Sequence, residues 1–543
     1  MRRLPVLFCL LILAMASGCA TKNVRKQARD DFARGDFAEA EKKLASSDVV
    51  SEAKNRLLTL VSLGSIAHEA GRYEKSNLFF DQAAELAGQL YTTSISEVAA
   101  TAVVNDNSQS YAGLDYEISM IYYYLAMNDL MIGYAGTPKE INKSFSSART
   151  RILAWDSFLE TVRSKNRGKP VYKDDVAAKL LGAYVHRLIG TREDRQIAKV
   201  LYSDVRSLLV KSLAMFPAFN RKAGEFRGAY RDFHKKELDE VRRKYLDATG
   251  HFDKLEKFVD VSARNLARDT KSTLVILDSG MIPEKSEKVF TVGLSTLIDS
   301  IEDEKTRRAV DQIGTVALLQ FAPRIGIGVV ALAVAGSVMS DENNKPDTVA
   351  SAVDRAVGFE FKLPCIPEVP TDVDYKLVFK SKEGAETEVP LAVVNPVNDF
   401  ASLEVEARSG AVAAKTGIRV GLKYLTGLVA AYAAYRSAAS AGEYLAVLAA
   451  MATWIAAKKV VDATEAADVR AWDLLPQTIS MTEVDIPPGK YDLTAVGVRG
   501  ADNWTFGLGE VEITDKTKNI VKRRVLFMPP VLKPSTDKAA GLM

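Results

Sequence analysis

Apolar positions recur at helical spacing from the first tens of residues to about residue 270. "DVAAKLLGAYVHRLIG" and "RQIAKVLYSDVRSLLVKSLAMF" read as amphipathic helices, and Pro217 ends the second. "YEISMIYYYLAMNDLMIGY" is apolar on more than one face, as a buried helix is. "YRDFHKKELDEVRRKYLDATG" mixes both charge signs at helical spacing, the pattern of a solvated face. Near Thr273 the period shortens to two. "STLVILDSGMIPEKSEKVFTV", "GFEFKLPCIP", "DYKLVFKSKEGAETEVPLAVV", "QTISMTEVDIPPGKYDLTAVGV", "NWTFGLGEVEITD" and "NIVKRRVLFMPP" are short β-branched runs punctuated by Gly and Pro. Two Ala/Gly-rich helical stretches interrupt them, at 313 to 340 and from about 401 to 467.

A weak repeat marks the first segment. "ARGDFAEAEKKLASS" and "EAGRYEKSNLFFDQA" superpose 36 positions apart, matching Gly35 with Gly71, Phe37 with Tyr73, Ala40 with Ser76 and Leu44 with Phe80. Small residues let two antiparallel helices approach, and glycine eases the turn between them. With Leu60, Leu63, Gly64 and Ala67, these positions fall at the spacing of a tetratricopeptide unit. Two such units are too few for a free-standing solenoid, so further helices must complete the stack. The expected fold class is α+β: a tetratricopeptide-like α-helical array over 19–270, then a β-sandwich-like domain over 271–530. Helical insertions fall in that domain at about 300–350 and 401–467, and 531–543 forms a loose tail.

Residues 1–18 change where the chain is placed. Arg2 and Arg3 precede the apolar "LPVLFCLLILAMA", which is too short to span a bilayer stably and closes on "ASGC". That order is a secretory signal with a lipobox, making Cys19 the lipidated (palmitate-class) first residue of the mature chain. Ala20, where aspartate would retain the protein at the inner membrane, points to the outer membrane, facing the periplasm. Cys9 leaves with the leader, so Cys365 is the one remaining thiol and no internal disulfide forms. Its setting, "KLPCIPEVP", suggests a buried small residue at a sheet edge. The formal charge of +3 includes Arg2 and Arg3, so the mature chain is near neutral and offers no electrostatic case for nucleic acid.

Sequence-local chemistry is sparse. His68, His186, His234 and His251 form no zinc-binding pattern; His68, on its repeat helix, reads as a packing or surface residue. There is no G-x-S-x-G elbow and no phosphate loop; the glycines of "GIGVV" suit close helix packing instead. No cofactor is expected. Asp115 and Glu117 in "YAGLDYE" are the one notable carboxylate pair. Two residues apart on a helix they diverge, and a helix N-terminus explains acidic groups more simply than glycoside hydrolysis does. Asp468, Arg470 and Trp472, between a long helix and the Pro476 break, read as a helix-to-sheet corner held by charge-assisted hydrogen bonds and indole packing.

The Cys19 lipobox, "YAGLDYE", "LVILDSGMIPEK" and "ADVRAWDLLPQTISMTEVDIPPGKYDL" together resemble a largely uncharacterised family of bacterial lipoproteins with an N-terminal tetratricopeptide-like region. The last motif carries the resemblance best; "IGYAGTPKEINKS" departs from the family's helical regularity and leaves the length of the array open. The resemblance implies an envelope role without a known reaction, so no catalytic residue transfers.

The leading expectation is therefore a non-enzymatic scaffold on Cys19, binding envelope proteins through its helical array and its β-domain. An accessory of a secretion or export system, with its insertions touching the membrane, is the first alternative. A glycan-binding or glycan-cleaving protein using Asp115 and Glu117 is the second. Neither insertion has the roughly 20 clean apolar residues of a spanning helix.

Overall fold

The computed structural model describes residues 23–97, 109–136, 138–165, 175–211, 251–292, 359–367, 373–515 and 518–526. Over these residues the chain is α+β. The helices are α1 (23–33), α2 (Phe37–Leu44), α3 (Ser47–Val50), α4 (Arg56–Glu69), α5 (Tyr73–Glu97), α6 (Asp115–Ala135), α7 (Pro138–Lys165), α8 (Val176–Ile189), α9 (Arg192–Lys211) and α10 (His251–Arg268). From α4 to α10 each helix packs on the next. α6 is buried on most sides, with Tyr116, Tyr123, Tyr124 and Met127 all covered, which is why its apolar residues circle the whole helix.

The two glycine turns share one backbone geometry 36 positions apart. Gly35 and Gly71 both take positive φ, +83° and +71°, which glycine adopts without a Cβ penalty. Gly35 N donates to Phe32 O and Asp36 N to Asp31 O; Gly71 N donates to His68 O and Arg72 N to Ala67 O. The side chains repeat as well. Phe32 meets Phe37 at 5.4 Å between ring centroids, and His68 meets Tyr73 at 5.4 Å. His68 thus occupies the place that Phe32 holds one unit earlier. Ala40 and Ser76, then Leu44 and Phe80, are buried at matching positions. Gly64 allows the closest approach, since a Cβ there would stand 2.8 Å from the Phe80 ring.

The strands among the described residues are β1 (Ser272–Ser279), β2 (Ser286–Val292), β3 (Phe359–Cys365), β4 (Asp374–Ser381), β5 (Glu386–Pro390), β6 (Ala392–Asn395), β7 (Thr478–Val484), β8 (Gly489–Arg499), β9 (Asp502–Ile513) and β10 (Lys518–Val525). They form one sheet of order β10-β1-β7-β6, a second of order β5-β4-β8-β9, and a two-stranded β2-β3 ribbon. β1 runs parallel to β10 and antiparallel to β7. Leu274 and Ile276 of β1, with Ile479, Met481 and Ile520, join the core of the helices. Val275 and Leu277, with Val521 and Val525, join Leu377, Phe379, Leu493 and Ala495 of the second sheet. The first sheet is therefore covered on both faces, and every residue of β1 is buried. This is the environment that favours the unbroken apolar run of "LVIL" over alternation.

The second insertion is a helical hairpin, α11 (Val397–Ala438) and α12 (Glu443–Thr464). Its 42-residue first helix is about 63 Å long at the α-helical rise. The hairpin begins at Val397 rather than 401, because Pro396 supplies the N-cap. The insertion at 313–340 lies outside the described residues. Cys365 differs from its expectation: it is half-buried rather than buried, on the two-stranded ribbon, with Sγ 3.0 Å from Ser286 Oγ.

Candidate functional site

The structure brings Glu117, Asp468, Arg470 and Trp472 together at the seam between the helices and the first sheet. Leu114 is the N-cap of α6, and its N–H donates to Glu117 Oε2 at 2.7 Å, the reach-back of an N3 glutamate. The same carboxylate accepts from Tyr111 Oη at 2.6 Å, from Tyr116 Oη at 3.3 Å and from the Trp472 N–H at 2.7 Å. Four donors thus converge on one buried carboxylate, which compensates its desolvation. The Tyr111 and Tyr116 hydroxyls are pushed well above the ordinary tyrosine range, first by burial and then by Glu117, so they remain donors.

Asp468 and Arg470 sit in the coil that links α12 to β7. Arg470 Nε and Nη2 donate to the two Asp468 oxygens at 2.8 and 2.7 Å, while its Nη1 reaches Asn55 Oδ1 at 3.0 Å and Gln109 O at 2.9 Å. Its guanidinium also lies over the Tyr111 ring, 5.5 Å from the centroid. Trp472 is fully buried and wedges between helices: its Nε1 donates to Ser65 Oγ of α4 at 2.9 Å, and its ring contacts Phe80 of α5 and Tyr124 of α6. From the sheet side, Arg524 donates to Leu474 O at 2.6 Å and Gly280 O at 3.2 Å.

Asp115 parts from Glu117. It lies at the start of α6, and its Oδ2 is 3.3 Å from Nη2 of Arg408 on α11. The α6 amides of Asp115 and Tyr116 donate to Glu404 of α11 at 2.8 and 3.0 Å. Burial raises the Glu404 carboxyl to about 6; Arg408 opposes this and Asp115 adds to it. Both members of the candidate carboxylate pair are 3 % exposed, closed off from a polysaccharide.

A second buried polar cluster bridges helices and sheet. Lys522 and Arg524 of β10 face Asp278 of β1 and Glu69 of α4, with Lys522 Nζ 3.1 Å from Asp278 Oδ2 and Arg524 Nη1 3.2 Å from Glu69 Oε1. Tyr123 Oη donates to Asp278 Oδ1 at 2.9 Å. Burial works against ionised Glu69, but Lys522 and Arg524 outweigh it and hold the carboxyl down to about 2. His68 beside them is buried, its Nδ1 2.5 Å from Asn128 Oδ1; burial, reinforced by Lys522, takes it down to about 3. It is neutral at physiological pH.

Along the outside of the seam runs an open cleft of about 590 Å³, within the usual size range of small-molecule sites. α1, α4, the β1–β2 connection and the 466–474 coil line it. Among the described residues, no group of three or more His, Cys, Asp or Glu is placed to hold a metal ion. Nor is any helix of theirs long and apolar enough to cross a membrane. Cys19 lies outside the described residues.

Sequence reading missed Glu404, Arg408, Asp278, Lys522 and Arg524. Only the last three had a local signal: an aspartate closing the apolar run of β1, and two cations at alternate positions of β10, which share one sheet face. No protein-family model, no curated protein and no solved structure matches this chain.

Proposed function

We propose that the chain is a non-enzymatic interaction scaffold of the cell envelope, anchored by lipid on Cys19 to the outer membrane and facing the periplasm, within the lipoprotein family it resembles. In this reading the stacked helices are a short tetratricopeptide-like array and the two facing four-stranded sheets are a β-sandwich-like module. The observation that carries the reading is the α11–α12 arm. Leu445, Leu448 and Ile455 on α12 are 52 %, 44 % and 42 % exposed, and with exposed Ala452 they follow a 3-4-3 spacing. Such a stripe on one helix face is the pattern of a surface made to receive another helix. The residues with candidate chemistry support the same reading, because their bonding groups hold the seam together.

Crosslinking in intact cells followed by purification tests this proposal. Recovery of defined envelope proteins supports it; recovery of none above background contradicts it. An export accessory would use the same arm against lipid, and crosslinks from α12 to acyl chains alone would favour that alternative.

A further inference from the structure

We infer that the cleft at the seam binds an anionic phospholipid, taking part of one acyl chain on its floor and the phosphate at its mouth. The inference rests on the lipid-anchor reading for the source of the ligand. The lining includes apolar Leu44, Leu58, Val469, Ala471 and Leu474. The charged lining is unbalanced: six Lys and Arg side chains stand against four carboxylates. Glu52, Glu284 and Asp473 are already engaged in ion pairs with Arg25 and Arg29, and Glu287 pairs with Lys362.

Two of these cations keep donors to spare. Lys26 is exposed and has no ion-pair partner among the described residues. Arg25 pairs with Glu52 at 3.6 Å and its Nη2 donates to Thr59 Oγ1 at 2.8 Å, while its buried Nε has no hydrogen-bond partner among the described residues. Burial draws its guanidinium downward from the usual arginine range, against the opposing pull of Glu52 and Asp473. An apolar-lined cleft with more cations than carboxylates, exposed Lys26 among them, matches an amphiphile with a negative head.

Position decides among amphiphiles. Asn23 lines the cleft only four residues after Cys19, a reach of at most about 14 Å in extended chain. A lipid on Cys19 therefore keeps Asn23 within about 14 Å of the anchored acyl group, close to the bilayer surface, where phospholipid is the abundant ligand. Occupancy there would fix the orientation of the helical array relative to the membrane, which a single flexible anchor does not.

Native mass spectrometry of the full mature chain in a non-ionic detergent tests this with three probes: palmitoyl-lysophosphatidylglycerol, palmitoyl-lysophosphatidylcholine and glycerophosphate. The anionic lysolipid should bind at least tenfold more tightly than the zwitterionic one, and glycerophosphate should not be retained. Lys26→Glu should abolish the charge preference, and Val469→Asp should weaken both lysolipids at least tenfold, with unfolding transitions matching wild type. Lys26 is exposed, so its variant keeps the test valid if Val469→Asp fails to fold. Equal binding of both lysolipids, retention of glycerophosphate, or binding indifferent to Lys26→Glu would overturn the inference. A cleft that takes neither lysolipid would also overturn it and leave a groove for protein. The same sample, denatured, reports the covalent mass on Cys19. Acylation without a lysolipid adduct defeats the cleft alone, whereas an adduct without acylation defeats the anchor.

Discussion

The backbone N–H of Trp472 donates to Glu117 Oε1 at 2.7 Å, joining residues 355 positions apart. That bond closes a seam in which the N-terminus of α6, the coil before β7 and the indole between α4, α5 and α6 depend on one another. Helices and first sheet consequently share one core.

Replacing Glu117 by Gln exposes the dependence. The amide keeps one acceptor oxygen and presents an NH2 group to donors, so some of its four partners lose theirs. A destabilisation of about 2–4 kcal/mol is expected from the loss of charge-assisted bonds in a buried site. Urea unfolding should show the tryptophan-fluorescence and far-ultraviolet transitions shifting together. A shift in only one of them would contradict a shared core.

The acid response of His68 has a definite sign. Its folded value, about 3, lies below the unfolded 6.5, so the unfolded chain binds the proton first. Its contribution is complete above pH 6.5 and is lost as pH falls from there toward 3. His68→Gln, compared with wild type by urea unfolding at pH 7 and pH 4, should lose about 3 kcal/mol less over that interval. An identical loss in both proteins would refute the neutral buried imidazole.

Gly64 tests the packing of the repeat. A methyl group there meets the Phe80 ring at 2.8 Å, a contact that requires the helices to separate. Gly64→Ala should cost about 1–3 kcal/mol by overpacking, and adding Phe80→Leu should recover part of it. Strict additivity of the two substitutions, read from unfolding midpoints, would mean that they do not touch.

Much of this architecture was legible from local pattern. The described strands lie in the β-branched runs, and the paired turns of Gly35 and Gly71 were visible because the turn chemistry repeats with the sequence. The carboxylate pair diverges as its spacing requires. What stayed hidden was long-range. Glu404 caps α6 from a helix nearly three hundred residues away, and nothing near Glu404 announces a helix end to be capped. Likewise Lys522 and Arg524 could be assigned to one face of β10, but only tertiary structure shows that this face is buried against Glu69. The thiol of Cys365 was misjudged because a two-stranded ribbon, unlike the larger sheets, leaves much of its surface open.

The central claim is that the α12 stripe on an anchored protein receives another envelope protein. The most direct measurement places a photocrosslinking residue at Leu448 and irradiates intact cells, in wild type and in Cys19→Ala. A discrete adduct with one envelope protein, diminished when the anchor is lost, is the predicted result. Absence of any protein adduct from Leu448 in the anchored protein would contradict it.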